Sequence, residues 1–392
     1  MNRCRGHAAF DQLDPTTVHD VEGSRRRHGN GPAEMIGNTQ THVTNYPACT
    51  SARTCSAVGN GTTVSSTGPI CDEGIDIDPR RLTLVAATAQ HERLEATMDE
   101  QTFVDTHGVE IFTRWWTIDA PRGVVLISHG ASEHSGRYDR FARALNVAGF
   151  GAVAIDHRGH GRTGGSSPRG VTGPGGGHAV IDDLHELRSS TRSSGGVDVP
   201  IFLFGHSMGS LIALAYLAHH AEGLAGSVLC GIPVNVDDAP SLGALLQSVA
   251  DPATRDQPVT DLLGDNNAAF EPARTPADWL SRDPDEVDCF IADSMCGDDN
   301  PLTYGYLIDL FDVVAPVRDR LASISCPVFV IAGDRDPAAA MGSHATTLAH
   351  ALEAAGVPVG LTLYEGARHE LLNETNRDEV TADIISWLEA RT

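Results

Sequence analysis

From residue 124 onward, short apolar runs alternate with segments of helical composition, and this alternation restricts the fold more than any other feature. The runs are four or five residues long. The candidate strands are 124–128, 152–156, 201–204, 227–230, 328–332 and 361–364, and the candidate helices are 137–148, 179–193, the segment after 207, 343–355 and the carboxyl-terminal segment. Apolar strands separated by helices are typical of parallel βαβ units whose helices cover both faces of one sheet. The sequence therefore predicts an α/β fold with a mostly parallel central sheet flanked by helices.

The chain before this pattern divides into two parts. Residues 1–97 are rich in Gly, Ser, Thr, Asn and Arg, with few aromatic residues and no sustained period, which predicts a disordered amino-terminal extension. Residues 102–118 then predict two strands around a His-Gly turn, so the folded domain is expected to cover 98–392. Met98 directly precedes residues 99–103, where the first predicted strand begins. The extension is therefore either an interaction segment or lies upstream of a true translation start at Met98, and we favour the second.

A long interval separates the sixth predicted strand from the seventh. It is rich in Asp and Pro, and residues 232–325 carry 18 acidic residues against 5 Arg. A loop of this length without secondary structure is unusual inside a compact domain. We therefore predict a helical cap inserted after the sixth strand, at about 232–325, with helices over parts of 241–250 and 303–314.

Charge and apolar runs exclude several classes of function. The formal net charge is −24, from 28 basic and 52 acidic residues. Such a chain repels nucleic acid, so no nucleic-acid partner is expected. No apolar run approaches the ~20 residues of a membrane-spanning helix, and the amino terminus lacks the apolar centre of a secretory signal. We expect a cytoplasmic protein without a transmembrane segment, and peripheral membrane contact stays open.

The pentapeptide Gly205-His206-Ser207-Met208-Gly209 stands between a predicted strand and a predicted helix. It fits the pattern Gly-x-Ser-x-Gly. A sharp turn from strand to helix strains the corner residue, and side chains two positions away would collide with neighbouring backbone. Glycine at both positions removes these collisions and exposes the serine hydroxyl. The pattern thus predicts that Ser207 is a nucleophile; the plainer interpretation is a helix-capping serine.

A serine hydroxyl needs a base, and in this arrangement the acid and the histidine follow the serine along the chain. His369 follows a predicted strand and is the candidate base. Asp334 and Asp336 lie together after another strand, and either can be the acid that holds the imidazole in one tautomer, with Asp336 favoured. These residues all come after carboxyl ends of strands, so they are expected to lie close together.

Two backbone N–H groups are candidates for binding the negatively charged oxygen of the reaction. One belongs to Met208, and the other to Ala131 in the loop after strand 124–128. The same loop contains His129, Glu133 and His134, which resemble a metal-binding cluster. Hydrolysis with such a triad needs no metal, so we predict neither a metal nor a cofactor.

Five motifs together resemble the monoacylglycerol lipases and their lysophospholipase-like relatives, serine hydrolases of the α/β-hydrolase superfamily. They are SHGASEHSGRY (128–138), DHRGHGR (156–162), GHSMGS (205–210), GDRDP (333–337) and YEGARHELLNE (364–374). The resemblance covers about 100–392 and implies the α/β-hydrolase fold. It places the nucleophile on Ser207, the acid on Asp336, the base on His369 and the oxyanion amides on Ala131 and Met208.

The resemblance implies a serine ester hydrolase that cleaves monoacylglycerol-like or other small acyl esters. The cap is acidic and shows no clear apolar or basic amphipathic face of the kind that docks on membranes. A carboxylesterase or thioesterase acting on a soluble substrate is therefore the alternative. A non-catalytic α/β-hydrolase scaffold is a third interpretation, and the presence of a complete triad argues against it.

Overall fold

The computed structural model describes residues 97–163, 169–195, 199–249, 251, 253–259, 266–297 and 300–392. The prediction for the amino-terminal extension lies outside these residues, except for Thr97.

A single eight-stranded sheet organises the described part of the chain. Its strands are β1 (Thr97–Val104), β2 (Glu110–Thr117), β3 (Gly123–Ser128), β4 (Phe150–Ile155), β5 (Ile201–His206), β6 (Gly226–Cys230), β7 (Val328–Gly333) and β8 (Val359–Tyr364). The spatial order is β1-β2-β4-β3-β5-β6-β7-β8. The β1–β2 and β2–β4 pairs are antiparallel, and all the others are parallel. The predicted α/β-hydrolase fold with a mostly parallel sheet is confirmed.

Eight α-helices accompany the described strands. They are α1 (Asp139–Val147), α2 (Gly176–Gly195), α3 (Met208–His220), α4 (Ala239–Val249), α5 (Pro284–Ala292), α6 (Tyr304–Val314), α7 (Ser343–Ala354) and α8 (Arg377–Glu389). Every helix predicted from the alternating pattern is present, and the bounds differ by a few residues.

The two faces of the sheet bury separate apolar clusters, because successive side chains of a strand point to opposite faces. In β5, Leu203 joins one cluster, and Phe202 and Phe204 join the other. The first cluster packs against α2, α3 and α7, and the second packs against α1 and α8. Helices on both faces explain why the central strands read as continuous apolar runs.

The segment between β6 and β7 contains α4, α5 and α6, with 3-10 turns at Asn266–Phe270, Asp278–Leu280 and Ala315–Ser323. Helices predicted over parts of 241–250 and 303–314 correspond to α4 and α6. Helix α6 contributes Tyr306, Leu310 and Phe311 to the same apolar cluster as α3. The carboxyl-terminal part of this insertion is thus continuous with the core of the domain.

No helix within the described ranges combines the length and the apolar character that crossing a membrane requires.

Candidate active site

Ser207 occupies a strained corner between β5 and α3. Its φ of +52° and ψ of −121° lie in a region that side-chain-bearing residues rarely adopt, at a cost of about 1–3 kcal/mol. A Cβ on Gly205 would collide with the carbonyl oxygen of Gly209, and a Cβ on Gly209 would collide with that of Ser128. The structure thus shows the backbone collisions that the sequence predicted for any side chain at positions 205 and 209.

Ser207, His369 and Asp336 meet at the carboxyl edge of the sheet. The Nε2 atom of His369 lies 2.9 Å from the Ser207 hydroxyl oxygen. Its Nδ1 atom lies 2.8 Å from Oδ2 of Asp336. Asp336 is fully buried and His369 is almost fully buried, whereas Ser207 remains partly exposed. The three side chains follow β7, β8 and β5, and parallel strands bring their carboxyl ends to one edge.

The two aspartates after β7 have different partners. One carboxylate oxygen of Asp336 faces His369, and the other accepts the N–H groups of Ala338 and Ala339 at 3.0 and 3.2 Å. Asp334 instead accepts the Gly366 N–H at 2.7 Å, which fastens its loop to the turn after β8. The structure therefore brings Asp336 to the histidine and leaves Asp334 in the loop.

The electrostatic surroundings prepare His369 to accept a proton. Burial by itself lowers the pKa of His369, but the Asp336 carboxylate, together with Glu370 and Glu133, more than offsets it, and the pKa is raised above 6.5. The neighbouring His206 ring, centred 4.9 Å away, behaves differently. Burial and the nearby His369 lower the pKa of His206 to about 4, so His206 is neutral at neutral pH. His369 is therefore the histidine of this pair whose surroundings favour the protonated ring.

The backbone around Ala131 lies against Ser207. A Cβ on Gly130 would approach the Ser207 Cβ to 3.3 Å, so the loop after β3 passes beside the nucleophile. Within the described residues, the N–H groups of Ala131 and Met208 donate no hydrogen bond to the protein. Both N–H groups therefore remain the candidates for binding an oxyanion at Ser207.

The residues that resemble a metal cluster have other partners. His129 uses Nε2 to accept the His157 N–H at 2.9 Å, and its Nδ1 lies 2.7 Å from the Gly130 carbonyl oxygen. Glu133 binds the Gly130 N–H, Tyr138 and Arg137. His129 and Glu133 are thus committed to hydrogen bonds within the protein.

A second group, His134, Asp293 and Cys296, brings three potential ligand atoms within 4.8 Å of one another. The His134 Nδ1 atom accepts the Gly136 N–H at 3.1 Å, so in the neutral ring Nε2 carries the proton and donates it to Asp293 at 2.9 Å. A metal on Nε2 would move that proton to Nδ1, where it would oppose the Gly136 N–H. The geometry therefore fits a hydrogen bond that fastens residues 293–296 to the loop after β3.

Part of the insertion between β6 and β7 covers the histidine. The Trp279 ring is centred 4.9 Å from the His369 ring. The Leu280 carbonyl accepts the Glu370 N–H at 2.8 Å, and Ser281 donates its hydroxyl to the Asn373 carbonyl at 2.8 Å. Sequence reasoning missed Trp279, because an aromatic residue in an irregular segment carries no signal of its partner.

The chain is similar in sequence and fold to several known proteins. A family model described as serine aminopeptidase, S33, matches residues 119–376. A monoacylglycerol lipase of Mycolicibacterium smegmatis is 31% identical over 302 residues, covering 75% of this chain and 98% of that protein. The monoglyceride lipase of Homo sapiens is 30% identical over 303 residues, covering 74% and 90%. Among solved structures, a thermostable carboxyl esterase of Bacillus coagulans in complex with glycerol is 33% identical, with a TM-score of 0.69, covering 75% of this chain and 98% of that chain.

Proposed function

The chain belongs to the serine aminopeptidase S33 family of α/β-hydrolases, in its monoacylglycerol lipase-like branch, and from this premise we propose that it hydrolyses monoacylglycerols through a Ser207 acyl-enzyme. It is an ester hydrolase. The observation that carries the proposal is the hydrogen-bonded chain from Ser207 through His369 to Asp336. In this assignment Ser207 is the nucleophile, His369 the general base and Asp336 the acid.

Acylation begins when His369 Nε2 takes the proton of Ser207 as its oxygen attacks the ester carbonyl carbon. The carbonyl oxygen becomes negatively charged and accepts hydrogen bonds from the N–H groups of Ala131 and Met208. His369 then returns the proton to the departing glycerol oxygen, and the acyl group stays on Ser207. Asp336 stabilises the transient imidazolium and keeps Nδ1 protonated.

Deacylation repeats these steps with water in place of the serine. His369 removes a proton from water, the hydroxide attacks the acyl carbon, and the same N–H groups bind the oxyanion. The bond to Ser207 breaks, and Ser207 regains the proton from His369. The products are a fatty acid and the free enzyme, and the cycle needs no redox partner.

A carboxylesterase acting on small soluble esters is the second candidate. The 33% identical carboxyl esterase supports it, and so does the acidic character of residues 232–325, which carry 18 acidic residues against 5 Arg. The two candidates share every proposed catalytic residue and differ only in the alcohol and acyl groups.

The first experiment combines active-site labelling with a substrate panel. We expect a fluorophosphonate probe to label the protein, and Ser207→Ala to abolish labelling while Ser210→Ala keeps it. The panel compares monoacylglycerols with ethyl esters of the same acyl chains. A higher kcat/KM for monoacylglycerols at each chain length supports the lipase assignment, whereas a preference for short ethyl esters favours the carboxylesterase. Labelling that persists in Ser207→Ala contradicts the assignment of the nucleophile.

The pH dependence of kcat/KM should report the titration of His369. Only the neutral ring can accept a proton, and its raised pKa keeps the ring charged to a higher pH than for an ordinary histidine. Activity should therefore fall as pH decreases, along an acid limb whose midpoint lies above 6.5. Initial rates at low substrate concentration from pH 4 to 9 measure it. An acid limb near pH 4 would instead point to a group such as His206.

A further inference from the structure

Three charged side chains with little exposure lie beside the proposed active site, in what we call the Glu133–Arg137–Glu370 cluster. The Arg137 guanidinium forms a two-point pair with Glu370, at 2.5 and 2.7 Å, and binds Oε2 of Glu133 at 2.8 Å. The three side chains are only 11%, 6% and 4% exposed in the order Arg137, Glu370 and Glu133. Burial of such a cluster contributes little net stability on average, because desolvation offsets the attraction. Stability alone therefore does not explain why the cluster lies beside the proposed active site.

One end of the cluster holds the loop that carries Ala131. Oε1 of Glu133 accepts the Gly130 N–H at 2.5 Å and the Tyr138 hydroxyl at 2.8 Å. On the other side of the same residue, the Gly130 carbonyl oxygen lies 2.7 Å from Nδ1 of His129. Gly130 is thus held at both its N–H and its carbonyl.

These two contacts determine where the Ala131 N–H points. The peptide bond between Gly130 and Ala131 is planar and trans, so the Gly130 carbonyl and the Ala131 N–H point in opposite directions. Fixing the carbonyl against His129 therefore directs the Ala131 N–H away from His129. Glu133 prevents the preceding peptide from rotating.

The other end of the cluster holds the loop that carries His369. Glu370 follows His369 directly, and Arg137 binds both of its carboxylate oxygens. Asn373 adds a hydrogen bond to Glu370 at 2.9 Å. Phe290, in helix α5 of the insertion, lies over the guanidinium. The distance from the Arg137 Cζ atom to the centre of the Phe290 ring is 4.9 Å. The Arg137 guanidinium therefore contacts three segments: the loop after β3 that carries Ala131, the loop after β8 that carries His369, and the insertion between β6 and β7.

We propose that Glu133 and Arg137 are positioning residues, which hold the Ala131 N–H and the His369 ring at the mutual distance that the transition state requires. The proposal rests on the function assigned to Ser207, His369 and Ala131 above. Neither side chain reacts with the substrate; each acts through the backbone of a loop. Buried ionised groups suit this role: burial raises the pKa of both carboxyls, but the Arg137 charge together with the other groups around each carboxyl outweighs it, and the pKa of each is lowered.

The test compares kcat and KM in Glu133→Gln and Arg137→Lys with those of Arg143→Lys. Arg143 is the matched control, because it forms an exposed pair with Asp139 within helix α1. We expect kcat to fall about 10- to 100-fold in the first two variants, since a small misplacement of an oxyanion donor has effects of this order. KM should stay within about threefold, because the contacts of the bound ester are not removed. Arg143→Lys should match the parent protein.

A trifluoromethyl ketone, which forms a tetrahedral adduct with an active serine, gives an independent measure of the oxyanion site. Its inhibition constant should rise in proportion to the fall in kcat/KM across the variants. A Glu133→Gln or Arg137→Lys protein that melts earlier but keeps its kcat and its inhibition constant would show a merely structural role and overturn the proposal. A rise in KM with kcat unchanged would also overturn the proposal.

Tyr138→Phe covers the case in which the charge variants do not fold. It removes one hydrogen bond to Glu133 and keeps the buried ring. We expect a fall in kcat of about three- to tenfold with KM unchanged. An unchanged kcat would contradict the proposal.

If Ser207→Ala is inactive while these variants are fully active, the positioning role fails and the proposed function stands; an active Ser207→Ala would overturn the proposed function itself.

Discussion

Ser207→Ala and His369→Ala are each expected to lower kcat for ester hydrolysis by about 10⁴- to 10⁶-fold, and the double variant should be only slightly slower than either. The 2.9 Å hydrogen bond joins the nucleophile to its base, so removing one leaves the other without a role. What remains is the contribution of the oxyanion donors and of substrate binding. Single-turnover rates with a chromogenic ester provide the sensitivity that this measurement needs.

The additivity of the two effects decides whether the residues act as one unit. Independent residues would multiply their effects in the double variant, whereas members of one triad would not. Ser210→Ala is a suitable control, because its hydroxyl bonds the Ser207 carbonyl within the first turn of α3 and does not face His369. Near-normal turnover in either single variant would contradict the assignment, and a multiplicative double variant would separate the two roles.

Much of this site could be predicted because its signals are local. The run Ile201–Phe204 and the glycines at 205 and 209 together indicate a strand, a sharp turn and a helix within ten residues. The collisions that a Cβ would cause at both glycines show why a local pattern was sufficient. The same alternation predicted a mostly parallel sheet, and parallel strands bring the ends of β5, β7 and β8 to one edge.

The contacts that the sequence could not predict are those between distant segments. Arg137 and Glu370 are 233 residues apart, and both lie in recognised motifs, but nothing in either motif names the other as its partner. Trp279 lies in an irregular part of the insertion, where no period indicates which side is buried. Pairings of this kind depend on the path of whole loops, which composition and spacing do not determine.

The sequence could not decide between Asp334 and Asp336 as the acid for the same reason: the answer depends on a contact with a distant segment. Both aspartates follow β7 within three residues of Gly333, so either could reach a histidine from the next strand. The turn after β8 gives the two aspartates different roles, because the Gly366 N–H in this turn donates a hydrogen bond to Asp334 at 2.7 Å. Asp336 is then buried against His369, where Ala338 and Ala339 donate two N–H groups to its other oxygen.

Asp336→Asn is therefore expected to lower kcat by about 10⁴-fold, whereas Asp334→Asn should lower it by less than about threefold. An amide at 336 can donate a hydrogen bond to Nδ1 and so favours the wrong tautomer of His369, in which Nε2 carries the proton and cannot accept one from Ser207. An amide at 334 still offers an oxygen to the Gly366 N–H, so its loop keeps its path. Steady-state rates of the two variants at pH 8 measure the difference, and the reverse order would assign the acid to Asp334.

The residual activity of Asp336→Asn should also show a displaced pH profile. The Asp336 carboxylate is the main group that raises the pKa of His369 against the effect of burial, with smaller contributions from Glu370 and Glu133. Without that charge the pKa of His369 falls, and the acid limb of kcat/KM moves to lower pH. A structural loss of activity, through misfolding of a fraction of the molecules, would scale the profile without moving it. An acid limb that keeps its position would therefore show that Asp336 does not act on the base, even if the rate falls as expected.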